Sequence, residues 1–130
     1  MIKLIYPLRR LPSLTREAFQ TYWRETHAPL VHRHADVLGI RAYVQCHTVA
    51  ASRNDTVRRM RGGSEDYDGV AELWFDTVAA LTEEATEPAA AAAAAELLAD
   101  EKRFIDVDAS PIFCASEHVV IAHPLWGNRT

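Results

Sequence analysis

Cysteine is scarce in this chain, and the two present, Cys46 and Cys114, stand far apart. That excludes a disulfide framework and a clustered cysteine metal site; both lie in apolar, strand-like runs and read as small core residues, on opposite edge strands too distant to bridge. Positive charge is not concentrated either. Fourteen Lys and Arg against 18 Asp and Glu leave a formal net charge of −4, whereas nucleic acid demands a dense basic face, so it is not expected as a partner. No apolar run approaches the ~20 residues of a membrane span, and the opening Ile2-Lys3-Leu4-Ile5, followed by Pro7, Arg9 and Arg10, is too short for a signal sequence. No membrane partner is expected, and the location read from this is the cytoplasm. A nucleophile elbow, a P-loop and a dinucleotide fingerprint are also missing: Gly62-Gly63 is an isolated turn pair, and Ser64 and Ser110 have no histidine near them in sequence.

What is present fits one domain spanning 1–130, since 130 residues with 48% hydrophobic content fall at the common domain size. Ile2 to Leu8 reads as a strand. Thr15 caps a helix from Arg16 to about Thr26, and Pro29 to about Val37 forms a second turn or short helix closed by Gly39. Ile40 to Val49 alternates, with Ile40, Ala42, Val44 and Cys46 on one face and Arg41, Tyr43, Gln45 and His47 on the other. Residues 50–66 lack apolar periodicity and read as a long polar loop. Tyr67 to Phe75 is a strand with Ala71, Leu73 and Phe75 on one side and Val70, Glu72 and Trp74 on the other. A short helix reaches about Ala85, and Pro88 opens another through the alanine run, alanine being the best helix former. Ile112 to Ile121 is the last strand, followed by a tail from His123 to Thr130.

Strand, helix, strand, strand, helix, strand is the order of a ferredoxin-like split βαβ unit: an α+β fold with a four-stranded antiparallel sheet and helices on one face. The other face is then bare. With Tyr43, Val70 and Trp74 assigned to it, it forms an apolar patch of the kind that marks an interface, and two such faces meeting across a two-fold axis close a dimeric α+β barrel, so a homodimer is expected. Arg41, Gln45, His47 and Glu72 then become interface groups, with Arg41 or His47 paired to Glu72.

The segment Trp23-Arg24-Glu25-Thr26-His27-Ala28-Pro29-Leu30 carries the sharpest signal. Phe19, Trp23 and His27 share one helix face, and Pro29 lacks an amide proton and disfavours helical geometry at Ala28. His27 thus stands where an apolar stripe meets backbone groups stripped of partners. Two roles are open to it. It can move a proton to or from a small molecule, for which its ordinary pKa of ~6.5 is suited, or it can cap carbonyls freed by Pro29. The expected ligand cleft lies between sheet and helices, lined by Tyr6 or Leu4, Phe19, Tyr22, Trp23, His27, Ala71, Leu73 and Phe75; Asp106 is the best-placed acid/base partner by topology. His32 and His34 point apart on a helix and cannot chelate one ion, so no metal is assigned, and no cofactor.

The pattern W-x-x-x-H-A-P-L, read on Trp23, His27, Ala28, Pro29 and Leu30 in a first helix after a short strand, resembles the EthD family, over Met1 to about Ile121. The resemblance implies the same dimeric barrel, makes His27 the matching motif position, and brings an association with alkyl ether degradation. Related dimeric barrels include muconolactone isomerases, cofactor-independent monooxygenases and polyketide dehydratases. Two functions follow: a cofactor-free enzyme acting by proton transfer on a small hydrophobic cyclic or carbonyl compound, with Tyr6, Tyr22 or Tyr43 orienting a polar group; or a non-catalytic carrier of a hydrophobic metabolite or haem.

Overall fold

The computed structural model describes residues 1–127. Strand β1 (Ile2–Leu8) is followed by α1 (Arg16–Tyr22), a π-helical turn (Trp23–His27) and α2 (Ala28–Leu38). Then come β2 (Ala42–His47), α3 (Ala51–Arg61), β3 (Gly69–Phe75), the single turn α4 (Ala79–Thr82), α5 (Pro88–Glu101) and β4 (Phe113–Ala115). The strands form one antiparallel sheet in the order β2-β3-β1-β4. This is the expected α+β, ferredoxin-like arrangement. Among the described residues, no helix is long and apolar enough to cross a membrane.

The first helical segment does not break at Pro29. Thr15 caps its start, the Ala18 N–H donating to Thr15 Oγ1 at 3.1 Å. Between Trp23 and His27 the coil widens, so that the Ala28 N–H reaches the Trp23 carbonyl five residues back. The wider turn absorbs the missing Pro29 donor and the crowding of its ring that would otherwise kink the helix. Gly39, at φ 72°, closes α2 in the left-handed conformation that an L side chain resists.

Register decides which side chains meet the helices. Tyr43 pairs with Leu73 on β3, and Leu73 with Leu4 on β1, so Tyr43 belongs to the helix-covered face and not to the bare one. The expectation for Tyr43 is thereby corrected: it lines the interior, while Val70 and Trp74 keep to the bare face. Gln45 and His47 move inward with it. His47 stacks on Trp23 with ring centroids 4.5 Å apart, Arg41 pairs with Asp76 at 2.7 Å, and Glu72 pairs with Lys3 at 3.0 Å, so the expected set of Arg41 or His47 with Glu72 does not form.

Three further expectations change. Residues 51–61 are the helix α3, closed by Gly62 at φ 61°; no residue of it is buried, so it carries none of the apolar periodicity that would announce a helix. β4 stops at Ala115, leaving Val120 and Ile121 exposed beyond the sheet. Cys46 and Cys114 do lie on opposite edge strands, but both are exposed rather than core residues. The end of the expected tail, 128–130, lies outside the described residues.

The core lies between sheet and helices. Trp23, Phe19, Phe104 and Leu8 are its largest fully buried side chains, and Phe104 is tilted against Phe19, Tyr22 and His27 at 5.5, 5.0 and 5.0 Å.

Candidate active site

A cavity of about 250 Å³ opens between the sheet and the helical layer. Its walls are mostly aliphatic and aromatic. Leu4, Tyr6, Ala71, Leu73 and Phe75 come from the central strands, Trp23 and His27 from the π-helical turn, and Ala94, Leu97 and Glu101 from one face of α5. Alanine at positions 90 and 93 lets α5 pack closely, both residues being buried. Its low bulk leaves room for the cavity, as expected of a small-faced helix.

His27 is buried, and its Nδ1 lies 2.7 Å from Asp100 Oδ2. The other oxygen of that carboxylate accepts the Tyr22 hydroxyl at 2.6 Å. Burial alone would raise the Asp100 pKa, but the Tyr22 and His27 hydrogen bonds, with the charge of Arg103, hold it below the usual carboxylate range. For His27 burial dominates and keeps its pKa below the ordinary value despite the pull of Asp100. At neutral pH the pair is therefore a carboxylate and a neutral imidazole, with the proton on Nδ1 donated to Asp100. The lone pair rests on Nε2, which makes no hydrogen bond to the protein among the described residues. His27 caps no backbone carbonyl; the Trp23 carbonyl is met instead by Ala28 and by Gln45 Nε2 at 3.0 Å.

Of the residues expected in the cleft, Tyr6, Trp23, His27, Leu73 and Phe75 do line it. Phe19 packs beneath, fully buried, and Tyr22 turns away to hold Asp100. Asp106 is not brought to His27; its backbone N–H bonds Arg9 O at 2.9 Å and its carbonyl accepts Ser110. Asp100 takes the place foreseen for it. His34 Nε2 lies 2.8 Å from a carboxylate oxygen of Glu96 on α5.

Glu101 also escaped the sequence reading. It lines the cavity together with Tyr6. Burial, opposed by the neighbouring Tyr6 hydroxyl and reinforced by the charge of Asp100, pushes the Glu101 pKa up to about 7. Tyr6 is in turn raised by burial and by Glu101. One signal in the sequence could have exposed this pair: Asp100 and Glu101 end a helix whose dipole favours cations there, so both break a local rule. No group of three or more His, Cys, Asp or Glu able to hold a metal ion occurs among the described residues.

A four-stranded antiparallel sheet with a helical layer over one face, enclosing an apolar cavity, defines a ferredoxin-like α+β protein with an internal small-molecule-sized site. The chain belongs to the EthD family, whose domain model matches residues 11–108 and so includes Trp23, His27, Tyr43, Asp100 and Glu101. Among solved structures it is similar to an ethyl tert-butyl ether d (EthD) family protein from Bacillus halodurans C-125, at 20% identity over 91% of this chain and 99% of that one, with a TM-score of 0.59. An EthD-like protein from Ralstonia eutropha JMP134 shares 15% identity, with 95% of each chain covered and a TM-score of 0.56. A dimeric protein of unknown function and ferredoxin-like fold from Bacteroides fragilis NCTC 9343 shares 14% identity over 89% of this chain and 95% of that one, with a TM-score of 0.54. At such identities the likeness shows the fold. No curated protein matches the sequence.

Proposed function

We propose that this protein is a cofactor-independent enzyme that moves a proton on a small hydrophobic cyclic or carbonyl compound, with His27 as the acid/base group. The observation that carries the reading is the buried His27–Asp100 pair at the wall of an apolar cavity. Asp100 fixes the tautomer, leaving the Nε2 lone pair to take a proton from carbon, and its negative charge stabilises the imidazolium that forms. A histidine retained for capping would engage backbone, and this one does not. A cavity of about 250 Å³ lies below the ~300–1,000 Å³ of drug-sized sites, which limits the ligand to one or two rings. The association of EthD proteins with ether degradation fits a role in catabolism of such compounds.

The enzyme is proposed to work as a homodimer closed through the bare sheet face. The chain exposes 8619 Å², whereas a compact monomer of 14.6 kDa exposes about 6,900 Å². The excess, about 1,700 Å², is roughly twice the ~800 Å² that a standard interface removes from each partner, so the chain has surface enough to cover. The dimeric Bacteroides fragilis protein supports the same reading.

The test uses 1-indanone, a two-ring ketone with exchangeable protons next to its carbonyl. Wild-type protein should accelerate their exchange with D₂O, followed by NMR, and His27→Gln should lower that rate by about 10² to 10⁴ while remaining folded. A folded His27→Gln that exchanges like wild type removes His27 from the mechanism, and a wild type that accelerates no exchange leaves a carrier.

A further inference from the structure

The cavity holds a second polar group with a definite hydrogen-bonding direction. Tyr43 Oη accepts the Trp23 indole N–H at 3.1 Å and Gln45 Nε2 at 2.8 Å. The Gln45 amide cannot be turned around: its nitrogen also donates to the Trp23 carbonyl at 3.0 Å, and its oxygen faces His47 Nε2 at 2.8 Å. A flipped amide would set oxygen against a carbonyl. Both acceptor positions of the Tyr43 hydroxyl are therefore taken by N–H groups, and its own proton must go elsewhere. No protein acceptor receives it among the described residues. Glu101 accepts no hydrogen bond from Tyr43 and acts on it through its charge alone. The direction left is the cavity, which Tyr43 lines together with His27.

We infer that Tyr43 is the oxygen-binding group of this site: its hydroxyl, oriented by Trp23 and Gln45, donates to the carbonyl or enolate oxygen of the substrate while His27 faces the adjacent carbon. This rests on the proton-transfer reading and narrows it to enolisable carbonyl compounds. In the step, the C–H bond breaks and its proton passes to His27 Nε2. The C–H electron pair becomes the new C=C bond, and the carbonyl π pair moves onto oxygen, where the Tyr43 O–H meets the developing charge. Return of the proton from His27 to carbon completes exchange, or isomerisation if a different carbon of the conjugated system receives it. Two N–H bonds into the phenol oxygen withdraw charge from it and make it a better donor at the moment the substrate oxygen becomes negative. His47 extends the relay: it donates to Gln45 and stacks on Trp23, holding both donors in place.

The test compares 1-indanone with indane, which has the same rings and no oxygen. Wild type should bind indanone more tightly than indane, and Tyr43→Phe should lose about tenfold in indanone affinity with no change for indane. The carbonyl stretch of carbon-13-labelled indanone bound to wild type should lie below its position in an apolar solvent, and Gln45→Met should move it part of the way back. This infrared reading needs no Tyr43 variant and decides the matter even if Tyr43→Phe fails to fold. Indanone binding no tighter than indane, equal losses for both ligands in Tyr43→Phe, or an unshifted carbonyl stretch would each overturn the inference. A shifted stretch without catalysed exchange supports Tyr43 and removes only the role given to His27, so the two failures are separable.

Discussion

Glu101 and Asp100 are neighbours in sequence with opposite protonation habits, and the difference comes from what each faces. Asp100 meets two donors and stays ionised. Glu101 faces an apolar cavity and holds its proton up to about pH 7. Because the folded protein keeps this proton where an unfolded chain gives it up, stability falls as pH rises from the ordinary glutamate pKa of 4.5 to about 7 and is flat beyond. The loss amounts to about 3 kcal/mol. Glu101→Gln keeps a polar side chain of the same shape beside Tyr6 and cannot ionise, so its stability relative to wild type should climb across that window. Chemical denaturation of both proteins at intervals from pH 4.5 to 8 measures the difference; a constant difference would show that Glu101 does not titrate there. His27 runs the other way, since its lowered pKa makes the fold lose stability as pH drops below about 6.5, and it cancels in the comparison. Residue by residue, His27 was legible because a motif and a proline mark it. Asp100 and Glu101 were not, because two acids at a helix end whose dipole favours cations mark an anomaly without saying what either carboxylate meets.

At the scale of the element, the alternation on β2 and β3 was legible and the pairing between them was not. Each strand showed two faces, yet nothing within a strand tells which one meets the helices. Tyr43 went to the wrong side for that reason. The π-helical turn was equally hidden, since Pro29 announces a disturbance and not its geometry. α3 was invisible because a helix with no buried face leaves no stripe. One contact holds the helical layer at its height over the sheet: a Cβ added at Gly69 would lie 2.5 Å from Trp23 Cζ3 and 2.8 Å from the Cys46 carbonyl. Neither atom is the end of a flexible chain. Gly69→Ala should therefore cost about 1–3 kcal/mol and push Trp23 into the cavity, weakening indanone binding along with stability. A variant as stable as wild type would mean that the indole can retreat, and that its position is not fixed by the strand beneath it.

At the scale of the whole molecule, the feature that the topology foretold is the uncovered sheet face. Val70 and Trp74 of β3 lie on it beside Ile5, and Val44 and Phe113 are 43% and 48% exposed. Polar groups are threaded through it: Lys3 pairs with Glu72 at 3.0 Å and Glu117 at 3.5 Å and lies 4.7 Å from the centre of the Trp74 ring, while the indole N–H of Trp74 donates to Glu117 at 2.8 Å. With its charges already satisfied within one chain, this face can meet a copy of itself without stranding an ion, and an isologous contact then buries the Trp74 ring twice. A stable interface of this kind removes roughly 1,200–2,000 Å² and should persist at micromolar concentration. Light scattering on the purified protein should therefore return about twice the chain mass of 14.6 kDa. Trp74→Asp places a third carboxylate near Glu72 and Glu117 where the partner closes, and burying that charge without a partner costs several kcal/mol. The variant should run as a monomer or unfold. The cavity lies on the opposite side of the sheet, so a folded monomeric Trp74→Asp should still bind indanone. A wild-type mass of one chain, or a Trp74→Asp protein that remains dimeric, would exclude this face as the interface.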